Sequence, residues 1–84
     1  MVLDEQVIRA PSQLGQLLKG LRRKQGLSQH DLALRAGGTS QARLSQLELH
    51  PGRLTLERLL LLLAALDLEL VIRPRRNTPD AAEW

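Results

Sequence analysis

Two leucines, Leu44 and Leu47, are interleaved with Gln41, Ala42, Arg43, Ser45 and Gln46. A carboxamide can pair with adenine, a guanidinium with N7 and O6 of guanine, and Ser or Ala can approach a base edge or a thymine methyl. At helical spacing the leucines take one face, so the polar set is presented together on another. Residue types in that pattern point to the reading of DNA in a groove. Each one singly is also an ordinary solvent-facing helix residue; their occurrence together with Gln29 is what favours recognition.

Contacts to the DNA backbone are expected from a neighbouring segment. Ser28 and Gln29 fall at the first turn of a preceding helix, beside backbone N–H groups that lack a helical partner and can hold a phosphate. Arg22, Arg23 and Lys24 lie close by in sequence. From Ser12 to Gln46 the charged residues are Lys19, Arg22, Arg23, Lys24, Arg35 and Arg43 against Asp31 alone, whereas the whole chain carries only +3. A concentrated basic face suits a polyanion, with a merely solvated cationic surface as the alternative.

Other chemistry is excluded by residue type. The chain has no Cys, and His30 and His50 stand far apart without a convergent carboxylate cluster, so neither a metal site nor a cofactor is expected. Ser28, Ser40 and Thr55 fit the N-cap positions of helices better than the role of nucleophile. With no nucleophile elbow, phosphate loop or acid–base pair, the chain does not read as an enzyme.

The elements that must position these residues follow from caps and leucine spacing. Pro11-Ser12 opens a first helix with Leu14, Leu17, Leu18 and Leu21 on one face, and Gly26 ends it. Ser28 caps a second helix, with Asp31 at its third position and Leu27 placed to staple onto Leu32. Gly37-Gly38 stops that helix, and Thr39-Ser40 offers the cap for a third, Gln41 to about Leu49. After the turn His50-Pro51-Gly52-Arg53, Leu54-Thr55 starts a fourth helix running to about Leu66. Its buried stripe is expected to be Leu56, Leu59, Leu60, Leu63 and Leu66, which leaves Leu61 and Leu62 as apolar surface for a subunit interface.

Leu68-Glu69-Leu70-Val71-Ile72-Arg73 alternates with period two and reads as one strand. A lone strand needs a partner. Only Val7-Ile8-Arg9 resembles one elsewhere, so pairing across a two-fold axis through Leu68, Leu70 and Ile72 is the expectation. Beyond Pro74 the chain is polar and Pro-interrupted, the composition of a mobile tail.

A chain of 84 residues holds one small core, and without Phe, Tyr or Cys that core must be aliphatic and unstapled; dimerisation is the usual remedy. Residues 1–10 carry Asp4 and Glu5 and lack the basic and apolar regions of a secretory signal. Leu59 to Leu66 falls far short of the ~20 apolar residues that span a bilayer. A cytoplasmic location is expected, with no membrane and no small-molecule substrate.

Leu27-Ser28-Gln29-His30-Asp31-Leu32-Ala33, Ser40 to Glu48, and Leu54-Thr55-Leu56-Glu57-Arg58-Leu59-Leu60 together resemble the Xre/Cro family over roughly Ser12 to Leu66. The resemblance implies that Ser40, Gln41, Ala42, Ser45 and Gln46 face the bases, that Gln29 touches a phosphate, and that Glu48 is a scaffold acid. The turn Gly37-Gly38-Thr39 departs from the family's usual pattern. It is one residue longer than most, with Thr39 where Val or Ile is common, which alters the tilt of helix three and which of Ser40 to Arg43 reaches a base.

A strand directly after helix four, then a polar tail ending Glu83-Trp84, is similar to HipB-type antitoxins. That similarity implies a homodimer with an intersubunit sheet, autorepression of a toxin–antitoxin operon at an inverted-repeat operator, and binding to a HipA-like kinase toxin with Trp84 as the docking residue. An indole on a flexible tail is a frequent anchor in a partner pocket. The fold expected is mainly α: a four- to five-helix Xre/Cro-like helix-turn-helix domain with one C-terminal β-strand pairing across the dimer. Residues 1–11 form an arm, 12–67 the DNA-binding domain, 68–73 the dimerisation strand and 74–84 the tail. A stand-alone repressor and a helical protein-interaction adaptor are the competing readings.

Overall fold

The computed structural model describes residues 5–75, which form four α-helices and one 3-10 turn. Helix α1 spans Pro11–Lys24, α2 Gln29–Ala36, α3 Gln41–Leu49 and α4 Leu56–Ala65, with the 3-10 turn Pro51–Arg53 between α3 and α4. Each helix after the first starts on a hydroxyl cap. Ser28 Oγ accepts from the Asp31 backbone N–H, Ser40 Oγ from that of Arg43 and Thr55 Oγ1 from that of Arg58. Such caps contribute about 0.5–2 kcal/mol each and fix where a helix begins.

At the start of α2 the exchange is reciprocal, because the Asp31 carboxylate accepts from the Ser28 backbone N–H at 3.0 Å. These bonds favour the charged carboxylate and hold the Asp31 pKa below its usual value of 3.8, the backbone bond from Ser28 being the largest cause. The end of α2 is set by Gly37, whose φ of 78° lies in the left-handed region that glycine adopts most readily. Helix α4 ends differently: Asp67 takes the left-handed turn at φ 61°, while Leu68 N–H reaches back to the Leu63 carbonyl.

The core is aliphatic. Leu18, Leu32, Leu44, Leu62 and Leu66 are fully enclosed, with α1 packed on α3 and α2 on both α3 and α4. Leu27 and Leu54, the residues before the caps of α2 and α4, pack against this cluster as expected of staples. The two helices α1 and α3 approach closely because Gly15 lies where they meet. A Cβ there would stand 2.7 Å from the Glu48 carbonyl oxygen and 2.9 Å from Pro51 Cγ.

One expectation is corrected. Helix α4 buries Leu62, Leu63 and Leu66 with Leu59 half-buried, and turns Leu56 and Leu60 outward. Leu62, assigned above to a subunit interface, is 0 % exposed inside the single chain and belongs to its core. The stripe that docks is therefore Leu59, Leu62, Leu63 and Leu66, at i, i+3, i+4 and i+7. Residues 68–75 follow α4 without helix and without strand pairing among the described residues, and the strand expected at 68–73 is one that pairs with a second copy of the chain. Glu5 and Arg73 form an ion pair that brings the N-terminal arm beside this segment.

Candidate nucleic-acid interface

Helix α3 is anchored on its inner side and open on its outer one. Leu44 and Leu47 are buried, whereas Gln41, Ala42, Arg43 and Gln46 are exposed and Ser45 is half-buried. Ser40 is exposed at the cap, its oxygen held by the Arg43 N–H at 3.2 Å. Six side chains assigned to base contacts thus share the cap and first two turns of one helix, five of them exposed. Of the other cations in this half of the chain, Lys19, Arg23, Lys24 and Arg35 are exposed.

Arg22 is not among those cations, contrary to the phosphate role assigned to it. It is 6 % exposed, its Nε lies 2.7 Å from Glu48 Oε2, its Nη2 donates to Oε1 at 3.2 Å, and its Nη1 donates to the Leu27 carbonyl at 2.9 Å. Gly15, Leu18 and Arg22 form a helical stripe on the α3 side of α1, so the guanidinium is turned inward to Glu48. The pair ties the end of α1, the entry to α2 and the end of α3 into one unit. Among the described residues no buried side-chain polar atom is left without a partner. Glu48 holds the scaffold position expected of it.

Gln29 joins the same cluster. Its Nε2 donates to Glu48 Oε1 at 3.1 Å and the residue is half-buried, so its carboxamide nitrogen is directed inward. Ser28, Arg23 and Lys24 remain exposed. Trp84, assigned to a partner contact, lies outside the described residues.

A residue that sequence reading passed over closes the other end of α3. Arg58 of α4 donates from Nη1 to the Gly38 carbonyl at 2.7 Å and to Thr39 Oγ1 at 3.1 Å. Those acceptors are the two residues before the Ser40 cap. Within a leucine-rich run Arg58 carries no signal of its own; the long turn it binds was the available clue.

No group of His, Cys, Asp and Glu able to hold a metal ion is present among the described residues, and no described helix is long and apolar enough to cross a membrane.

Two capped helices joined by a short glycine turn, the second with an outward polar face, define a helix-turn-helix DNA-binding domain. The chain belongs to the helix-turn-helix family HTH_3, of Xre/Cro type, whose match covers residues 18–72. Among solved structures it is similar to a chain of the HipA-HipB-O2-O3 complex, with 30% identity and a TM-score of 0.78, covering 86% of this chain and 100% of that one. It is also similar to a chain of a HipB-O1-O2 complex, with 31% identity and a TM-score of 0.75, covering 83% of this chain and 100% of that one. A chain described as MDT Protein matches with 30% identity and a TM-score of 0.78, covering 86% and 100%. Comparison with curated protein sequences returns no match. Chains of HipB complexes are thus among the structural relatives of this fold.

Proposed function

We propose that this chain is the antitoxin of a HipBA-type toxin–antitoxin system, repressing its own operon as a DNA-bound homodimer and binding a HipA-like kinase toxin in the cytoplasm. The observation that carries this reading is the state of α3: Gln41, Ala42, Arg43 and Gln46 exposed at one end while Glu48 is locked into the scaffold at the other. A neighbour in complex with HipA, matched over its whole length, supports the partner.

In this reading Ser40, Gln41, Ala42, Arg43, Ser45 and Gln46 read base edges, and Arg23, Lys24, Ser28 and Gln29 set the protein on the phosphates. Gln29 does so through its backbone N–H at the start of α2, since its side-chain nitrogen is held by Glu48. Leu61, Leu68, Leu70 and Ile72 form the dimer contact, residues 68–73 pairing with their symmetry mates as a strand. Ile72 is 91% exposed and Leu70 51%, which favours a covering surface. Trp84 anchors the toxin.

The test is footprinting on the DNA upstream of the chain's own gene. An inverted repeat with half-site centres about 34–36 Å apart is expected, with binding that weakens steeply with salt. Gln41→Ala and Arg43→Glu should each lose ~1–3 kcal/mol of operator affinity. Unchanged promoter binding by both variants returns the chain to a protein-interaction adaptor. Co-purification with the neighbouring gene product, lost on truncation after Ala82, supports the toxin contact; no capture by the intact chain makes it a stand-alone repressor.

A further inference from the structure

We infer that Arg58 is a positioning residue for DNA recognition: from α4 it latches the long turn before α3 and so sets the tilt at which Gln41, Ala42 and Arg43 are presented. This rests on the DNA-binding reading of α3 given above.

The geometry is specific. A half-buried guanidinium on α4 donates to the Gly38 carbonyl at 2.7 Å and to the Thr39 hydroxyl at 3.1 Å, rather than to any acid. Its own backbone N–H is held by Thr55 Oγ1 at 3.2 Å, so the helical turn that carries the guanidinium is itself fixed. Beside it, Leu61 Cδ1 stands 3.7 Å from where a Cβ at Gly38 would be, so the turn passes close to α4 there as well.

The need for a latch follows from the turn. Gly37 and Gly38 have no side chains to pack, and glycine pairs leave a connection conformationally loose unless something holds it. Ser40, two residues after Gly38, is the cap from which α3 starts. Freedom in that turn becomes a rotation of the first turn of α3, where the base-reading side chains sit. Glu48 restrains only the far end of the helix. A charged donor on a neutral carbonyl forms a strong bond, and here the single Nη1 of Arg58 meets both acceptors, a position that the differently shaped ammonium of Lys reaches less well.

The test compares wild type with Arg58→Met and Arg58→Lys on the full chain. In the free protein, amide hydrogen exchange at Arg43, whose N–H is bonded to Ser40 Oγ, should quicken roughly 5- to 30-fold in Arg58→Met, the factor that corresponds to losing one anchoring bond. Exchange at Leu18 in the core should stay at its wild-type rate. Affinity for the upstream DNA should fall by a similar factor while affinity for random duplex of equal length and the salt slope stay the same, with Arg58→Lys intermediate.

Unchanged Arg43 exchange overturns the latch. So does a parallel loss on specific and random DNA with the salt slope reduced by about one, which marks Arg58 as a phosphate contact. If wild type shows no preference for the upstream DNA, the recognition reading fails and with it the DNA part of this inference. The exchange result still decides whether Arg58 holds the turn.

Discussion

Helices α3 and α4 are of nearly equal length and both carry leucines, yet they are held in the molecule by opposite means. Besides burying two leucines, α3 is tied at both ends by directional polar bonds: the Ser40 cap and the Arg58-bound turn at its start, and Glu48 to Arg22 and Gln29 near its end. Helix α4 is held mainly by area, through Leu62, Leu63 and the following Leu66, and leaves Leu56, Leu60 and Leu61 in solvent. Hydrogen bonds fail when a helix rotates by a few tens of degrees, whereas apolar contact tolerates it. A helix that reads base edges needs the first kind of attachment; one that meets another apolar surface can use the second.

The largest effect should come from cutting the polar attachment. Arg22→Ala leaves Glu48 buried without its partner, with side-chain exposures of 8% and 3% in the intact pair. A loss of ~3–5 kcal/mol of stability is expected, read from the urea midpoint. Replacing both partners together, Arg22→Met with Glu48→Leu, should recover much of it, because the cost lies in the orphaned charge. A folded, stable Arg22→Ala protein that only binds DNA less tightly would return Arg22 to the phosphate contacts.

Next in size is the apolar attachment, where neighbouring leucines should part company. Leu62→Ala opens a cavity in a fully enclosed site and should cost ~2–5 kcal/mol. Leu61→Ala, at a side chain 40% exposed, should stay within about 0.5 kcal/mol in a dilute monomer and instead weaken self-association in sedimentation. Equal losses of stability at both positions would mean that the docked face of α4 is wrongly placed.

Much of this was legible in the sequence, and the failures have a common cause. Caps at Ser28, Ser40 and Thr55, the glycine stop at Gly37 and the buried pair Leu44 and Leu47 are local signals, and each appears where spacing placed it. The face of α4 was misjudged because Leu59 to Leu63 is an unbroken run, in which periodicity cannot distinguish one rotation from another. Arg22 was misjudged because a cation's default is solvent, and only the packing of α1 on α3 brings Glu48 beneath it. Arg58 and Gly15 went unnoticed because their partners are distant in sequence. The outward set on α3 was legible because it is what remains once two leucines are buried.

The spacing of α1 and α3 can be sharpened with two glycines on one helix. Gly20→Ala meets nothing within 4 Å and should raise stability by ~0.5–1 kcal/mol, the ordinary gain of alanine in a helix. Gly15→Ala drives a methyl against the backbone oxygen of Glu48 and Pro51, groups that cannot swing aside. There the sign should reverse, with ~1–3 kcal/mol lost. Thermal melts of the two single variants decide it; a stabilised Gly15→Ala would show that the helices have room to part.

The smallest effect concerns the start of α2, where the charge of Asp31 is coupled to the reciprocal cap with Ser28. Because hydrogen bonds from Ser28 lower the Asp31 pKa below 3.8, the folded state favours the carboxylate. Its contribution is complete above that ordinary value and is lost as pH falls through the lower, folded one. In Asp31→Asn the cap no longer titrates, so the urea midpoint should decline less steeply with acidification below about pH 4 than in wild type. The two proteins should differ most near neutrality and converge in acid. Asp31 is exposed at the helix end, so the gap is expected to be slight. Parallel curves across that range would show that the reciprocal bonds with Ser28 do not couple the charge of Asp31 to the fold.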